Sequence, residues 1–116
     1  MDIEFNKNED INKRLVDELK HKLKKVFAGG GEKAAAKQKE KGKMLARERI
    51  NYLIDKDKPF LEVGAFAADG MYAEQGGCPS AGVVVVIGYV CGRQCIVVAN
   101  DATVKAGAWF PMTAKK

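Results

Sequence analysis

Val83-Val84-Val85-Val86-Ile87-Gly88-Tyr89-Val90-Cys91, then Gly92-Arg93, then Gln94-Cys95-Ile96-Val97-Val98-Ala99 is the stretch whose reading decides the fold. Two runs of β-branched and aliphatic residues separated by two positions read as a β-hairpin. Glycine at the first of the two positions favours a type II′ turn at Gly92-Arg93. That register pairs Cys91 with Gln94 and sets Cys95 opposite Val90, on the other face of the sheet, so the two thiols cannot share a metal ion. Neither run alternates apolar with polar residues, so both faces of the hairpin are expected to be covered.

Working outward, Phe60 to Phe66 reads as a further strand after Pro59, and Asp69 to Ser80, rich in glycine and proline, as a loop. Three helices precede them. From Glu9 to Phe27 the apolar residues Ile11, Leu15, Leu19, Leu23 and Val26 make one narrow stripe on a charged helix, which suits an arm lying across another surface. Ala28-Gly29-Gly30-Gly31 stops that helix. Glu32 to Lys41 is a second, solvent-facing helix of strong helix formers ending at Gly42, and Leu45, Ile50, Leu53 and Ile54 mark a third, closed by Pro59. This material cannot cover both faces of the hairpin, which implies missing sequence or a tight partner.

A chain of 116 residues holds one domain or part of one, and 47% hydrophobic with 30% charged residues places it among folded globular proteins. The acidic start Met1-Asp2-Ile3-Glu4 and the lack of a long apolar run point to a cytoplasmic protein with no membrane partner. Cys78, Cys91 and Cys95 are then reduced thiols used in packing. The net charge of +5 arises in residues 1–58, with 16 basic against 11 acidic side chains; residues 59–116 hold four of each. A basic first half can attract an anion of any kind.

Gly29-Gly30-Gly31-Glu32-Lys33 lacks the spacing of a phosphate-binding loop and follows a helix, so it reads as a helix stop. His21 is alone on a charged helix, and no cluster has metal-ligand spacing. Arg47 and Arg49, flanking Glu48, could clamp a phosphate, but read better as ordinary exposed charges of a short helix. The best site candidate is Asn100-Asp101-Ala102-Thr103-Val104-Lys105-Ala106-Gly107, directly after the second hairpin strand, where layered α/β proteins often build sites. Against it stands a plain turn in which Asp and Thr bond their own backbone.

In order and spacing, Gly29-Gly30-Gly31-Glu32-Lys33, Lys41-Gly42-Lys43, Ala46-Arg47-Glu48-Arg49-Ile50, Leu53-Ile54-Asp55, Phe60-Leu61-Glu62 and Ala99 to Lys105 resemble the start of a known family. It is the carboxyltransferase (beta) subunit of propionyl-CoA, methylcrotonoyl-CoA and related biotin-dependent acyl-CoA carboxylases. The resemblance runs from about Leu19 to Lys116. It implies an α/β chain with an incomplete crotonase-like (ClpP/crotonase) fold: helices, then the β-hairpin of the first β-β-α unit, whose helix begins near Pro111. Residues 1–58 would be a helical arm with short helices, and 59–116 the truncated start of the carboxyltransferase N-domain.

The same resemblance implies an enzyme subunit that transfers a carboxyl group from carboxybiotin to the α or vinylogous carbon of an acyl-CoA. The biotin would sit on a partner carrier domain, and no metal is implied. The glycine-rich turns that hold the enolate oxygen lie beyond Lys116, so no catalytic residue is carried over and the segment alone should be inactive. Asp101, Ala102, Thr103, Val104 and Lys105 would border the nucleotide end of CoA, Lys105 as phosphate or ribose partner. Other beta subunits in a hexameric core, or the biotin carboxylase and biotin carrier alpha subunit, would be the partners, with no nucleic acid. Leu45 stands where many members have Thr, which weakens a helix cap. The alternative is a small basic assembly or adaptor protein acting on RNA, although stacking aromatics are sparse in the basic half.

Overall fold

The computed structural model describes residues 2–116, and among them are four α-helices and a three-stranded antiparallel sheet. In chain order these are α1 (Ile3–Phe27), α2 (Glu32–Glu40), α3 (Ala46–Leu53), β1 (Leu61–Val63), β2 (Val83–Val90), β3 (Arg93–Asn100) and α4 (Pro111–Lys115). β2 is the central strand, pairing with β1 through Glu62↔Val86 and with β3 from Val83↔Asn100 to Val90↔Arg93. Among the described residues no helix is long and apolar enough to cross a membrane.

The helices obey local chemistry. The Asp2 carboxylate accepts the Glu4 N–H (3.2 Å) at the start of α1, and Lys24 and Lys25 sit at its negative end. At α3, Leu45 offers no side-chain acceptor, yet Glu48 reaches back to the Leu45 N–H (3.1 Å), so half of a capping box survives. Pro111 opens α4, where the Thr113 hydroxyl accepts the Phe110 N–H (3.1 Å).

One face of the sheet is covered. Ala46, Ile50 and Ile54 pack on Val84 and Val86, with Val90, Val97 and Ala99 around them. A second cluster of Ala68, Cys78, Ala81 and Val104 lies beneath the loop before β2 and is flanked by Tyr72 and Phe110, whose rings stack with centroids 4.5 Å apart. Arg47 joins arm to sheet: it forms a forked ion pair with Glu62, and its guanidinium lies 4.3 Å above the Phe27 ring.

The other face is open, as the shortage of covering sequence implies. Leu61, Ile96 and Val98 are 63%, 71% and 62% exposed, so the apolar runs are covered on one face only. α3 is the helix laid across the hairpin. β1 is also shorter than Phe60–Phe66, because Gly64 takes a left-handed conformation (φ 65°) and turns the backbone away.

The hairpin turn is one residue earlier than its sequence suggests. Cys91 and Gly92 are the turn residues, both left-handed (φ 51° and 81°), which is the type I′ pattern, and Cys95 lies opposite Gly88 instead of Val90. The cause is 36 residues upstream. The Asp55 carboxylate accepts the Cys91 N–H (2.9 Å) on one oxygen and the Gly92 N–H (2.8 Å) on the other, while the Asp55 N–H donates to the Tyr89 carbonyl (2.7 Å). That clamp fixes the register and stabilises a left-handed non-glycine residue.

Hydrogen bonds to a charged acceptor contribute about 1.5–3 kcal/mol each, less when exposed. Asp55→Ala is therefore expected to lower unfolding free energy by about 2 kcal/mol, and Asp55→Asn, which keeps one acceptor, by roughly half as much. Urea titration of the three proteins checks the order; equal stabilities would contradict it.

Candidate functional site

The segment after β3 is a docked loop. The Asp101 N–H donates to the Gly82 carbonyl (2.9 Å), and Asp101 Oδ1 accepts from the Thr103 N–H (2.9 Å) and the Thr103 hydroxyl (2.6 Å). The self-bonded turn weighed in the sequence is therefore present, with a second function: the Thr103 oxygen also accepts the Gly30 N–H (2.9 Å), across 73 residues. The glycine run is thus more than a helix stop. A Cβ on Gly30 would lie 1.7 Å from the Thr103 carbonyl oxygen, and one on Gly29 2.7 Å from both Asp101 Oδ2 and Thr103 Oγ1. The arm's end is the seat of the loop.

Between this loop and the chain entering α3 is a cleft of about 570 Å³ lined by Gln38, Lys43, Leu45 and Arg49 on one side and Asn100 to Thr103 on the other. That volume suits part of a nucleotide-sized ligand. Lys43 and Arg49 make no ion pair among the described residues, whereas Arg47 is committed to Glu62. The structure thus divides the two arginines: Arg47 ties the fold together and Arg49 faces the cleft, which the sequence could not decide.

The expected CoA-binding residues separate in the same way. Asp101, Ala102 and Thr103 line the cleft. Val104 is 2% exposed in the second cluster, so its side chain is closed to any ligand. Lys105 is exposed and left-handed (φ 48°), and its ammonium lies beside Gly76, outside the lining of the cleft.

Cys78 is not a nucleophile in waiting. Burial pushes its thiol above the ordinary value, against smaller lowering effects of a hydrogen bond with Thr113 and the charge of Lys116. The Lys116 ammonium donates to Ser80 O, Ser80 Oγ and Val83 O (2.9, 2.6 and 2.7 Å), which braces the left-handed pair Ser80-Ala81 (φ 54° at each). Burial draws this lysine below its usual value, with Glu62 opposing. Both groups serve packing, and neither lines the cleft, where Lys43 and Arg49 are the basic side chains.

Residues 37–116 match the carboxyl transferase domain family. The chain is 50% identical over 107 residues (92% of its length, 20% of the relative's) to the biotin-dependent 3-methylcrotonyl-coenzyme A carboxylase beta1 subunit of Mycobacterium tuberculosis. It is 47% identical over 113 residues (97% and 19%) to the probable mitochondrial methylcrotonoyl-CoA carboxylase beta chain of Drosophila melanogaster. Among solved structures, transcarboxylase 12S with methylmalonyl-coenzyme A and methylmalonic acid bound superposes with a TM-score of 0.77 at 35% identity, over 90% of this chain and 21% of that one. The beta subunit of P. aeruginosa geranyl-CoA carboxylase gives 0.80 at 28% identity, over 96% and 20%. The chain thus spans about one fifth of the length of the relatives it matches. Its helices and hairpin are the opening portion of a crotonase-like α/β fold.

Gly30→Ala is a steric probe, since Gly30 does not need a left-handed backbone. It is expected to shift the amide NMR signals of Thr103 and Val104. Gly31→Ala, left-handed (φ 98°) but with nothing near its missing Cβ, should cost about 1–2 kcal/mol and leave those signals in place. Identical loop signals in wild type and Gly30→Ala would show that the seat is not occupied.

Proposed function

The chain belongs to the carboxyl transferase domain family, and from that premise we propose that it serves a biotin-dependent acyl-CoA carboxyltransferase as the segment that holds the nucleotide end of the acyl-CoA. The observation that carries this reading is the cleft in which unpaired Lys43 and Arg49 face the Asp101–Thr103 loop. Two cations over exposed backbone suit phosphate groups, and a planar guanidinium can grip a phosphate with two parallel hydrogen bonds. Asp101 holds the loop in shape through Thr103, Ala102 leaves the cleft mouth open, and Thr103 ties the loop to Gly30. Lys105, beside Gly76, is a second phosphate or ribose contact for a ligand extending around the loop.

Carboxybiotin, carried by a partner domain, supplies the carboxyl group; the acyl-CoA accepts it at the carbon next to the thioester or at its vinylogous position. This chain's part is to bind and orient. Fixing a remote phosphate of the substrate limits the motion of its reacting end, which is how distant binding energy lowers a reaction barrier. Holding an enolate oxygen requires paired N–H donors, and no such role is assigned to a residue of this chain.

The division expected at residues 58 and 59 stands as a proposal for the full subunit, with a helical arm leading into the carboxyltransferase N-domain; α3 nevertheless shares one core with β2. The open face of Leu61, Ile96 and Val98 has the composition of a buried layer. We assign it to packing inside a subunit of the relatives' length, and the arm to contacts with other beta subunits or with the biotin carboxylase and carrier subunit, in a cytoplasmic complex. The similar transcarboxylase 12S forms a hexamer, which supports a multi-subunit core. The RNA adaptor reading has no support from the family match, and the arm it relied on is acidic over its first third.

Calorimetric titration of the chain with CoA tests the assignment. Binding is expected to weaken with added salt, as for any phosphate contact, and Arg49→Ala is expected to raise Kd by at least about tenfold, the loss of one charge-assisted hydrogen bond. An unchanged Kd in Arg49→Ala would remove CoA phosphate from this cleft.

A further inference from the structure

Trp109 carries the largest apolar side chain of the protein and is 65% exposed. An amphipathic side chain at a surface ordinarily lays its apolar body on the protein and keeps its polar tip in water. Here the order is reversed. The Trp109 Nε1–H donates to Asn100 Oδ1 (3.1 Å), while Asn100 Nδ2 donates to the Gly107 carbonyl (3.1 Å). An indole N–H can only donate and a backbone carbonyl can only accept, so the Asn100 amide has one orientation and both of its ends are engaged.

This frame is tight. Gly107 is left-handed (φ 84°), and a Cβ there would stand 2.9 Å from Asn100 Nδ2 and 3.9 Å from Ala102 Cα. A side chain at this position would meet Asn100, so glycine is what lets the turn close on it. The ring is thereby fixed at its polar edge and left open over its apolar surface. Its sequence neighbours Ala106 and Ala108, both exposed, are too small to cover it.

The same frame places the ring. Asn100 and Ala102 line the cleft whose other side holds Lys43 and Arg49. Trp109 is therefore hydrogen-bonded directly to a wall residue of that cleft. A fixed, flat aromatic surface next to two unpaired cations matches a ligand that carries a flat base and phosphate on one ribose. Every base has a π face, and stacking on an aromatic side chain uses that face with little regard to the base's edge.

We propose that Trp109 is the platform on which the adenine base of CoA stacks, and that Asn100 is the residue that positions the ring. This rests on the assignment of the nucleotide end of CoA to the cleft and adds the base contact to it. Lys43 and Arg49 hold phosphate, and Trp109 holds the base. The platform thus separates a nucleotide from a simple phosphate, which the two cations alone do not.

Trp109 is the single tryptophan of the chain, so its fluorescence reports on this ring alone. Titration of the 116-residue chain with CoA, excited where adenine does not absorb, is expected to quench the emission. Adenosine bisphosphate, which has the base and phosphates without the pantetheine arm, is expected to quench it as strongly. Pantetheine and inorganic pyrophosphate, which lack the base, are expected to leave it unchanged. In calorimetry, Trp109→Leu is expected to raise the Kd for CoA at least about tenfold, and Trp109→Phe, which keeps a flat ring without the N–H, by less. CoA binding that weakens in Arg49→Ala, yet leaves the emission and the Trp109→Leu Kd unchanged, overturns the platform while the phosphate assignment stands. Quenching by pyrophosphate equal to that by CoA also overturns it, because it reports movement of the cleft and not a stacked base. No binding of CoA to the wild-type chain overturns both.

Discussion

Ile50 of α3 and Ile54 just after it press on Val84 and Val86 of β2, and those four side chains, at most 7% exposed, with Ala46 beside them, form the main core of the sheet. Burying an aliphatic side chain of this size is worth about 1.5–3 kcal/mol, so a handful of residues supplies most of the hydrophobic stabilisation that a small domain can collect. Everything that positions the cleft is referred to that contact. α3 carries Arg49 on its outer side and Arg47 toward Glu62, and the strand after the turn delivers Asp101 to the other wall.

Three ties then connect distant stretches of chain. Asp55 clamps the hairpin turn, Arg47 links α3 to Glu62 and Phe27, and Gly30 receives Thr103. Each joins the helical half of the chain to the sheet or to its connecting turns and loops, and each uses a charged or backbone group whose partner is fixed in direction. The loop of Asp101 to Thr103 therefore inherits its place from the arm's glycine run as much as from β3. Apolar Leu61, Ile96 and Val98 on the opposite face remain open, which is consistent with a chain that spans one fifth of its relatives.

Periodicity made α1 and α3 legible, although α1 begins at Ile3 and not at Glu9; helix-forming composition made α2 legible, the two apolar runs the hairpin, and the family resemblance the start of α4 near Pro111. The resemblance in motif order supplied the family and the crotonase-like fold. What failed was tertiary. The hairpin turn shifted by one residue because Asp55, 36 positions away, bonds two amides, and no local rule sees that carboxylate. The glycine run read as a stop because the reason for Gly30, the Thr103 carbonyl, lies 73 residues on. The shortage of material to cover both sheet faces, by contrast, was legible in the composition, and the open face of Leu61, Ile96 and Val98 bears it out. Within the candidate site, Asp101 to Thr103 could be named from position in the fold, while Lys43 emerged only once the chain was folded around it, and Arg49, weighed together with Arg47 in the sequence, was separated from it only there.

Cleft, loop and turn all require the sheet to be formed and covered on one face by α3 in this chain by itself. Residue-resolved hydrogen exchange measures that directly. Slow exchange is expected at the β2 amides, with β3 and β1 less protected as edges and α1 from Asp2 to Lys22 nearly unprotected beyond its own helical bonds. Uniformly fast exchange across β2 would show that α3 and the Asp55 clamp do not assemble the sheet, and would contradict this structural picture at its base.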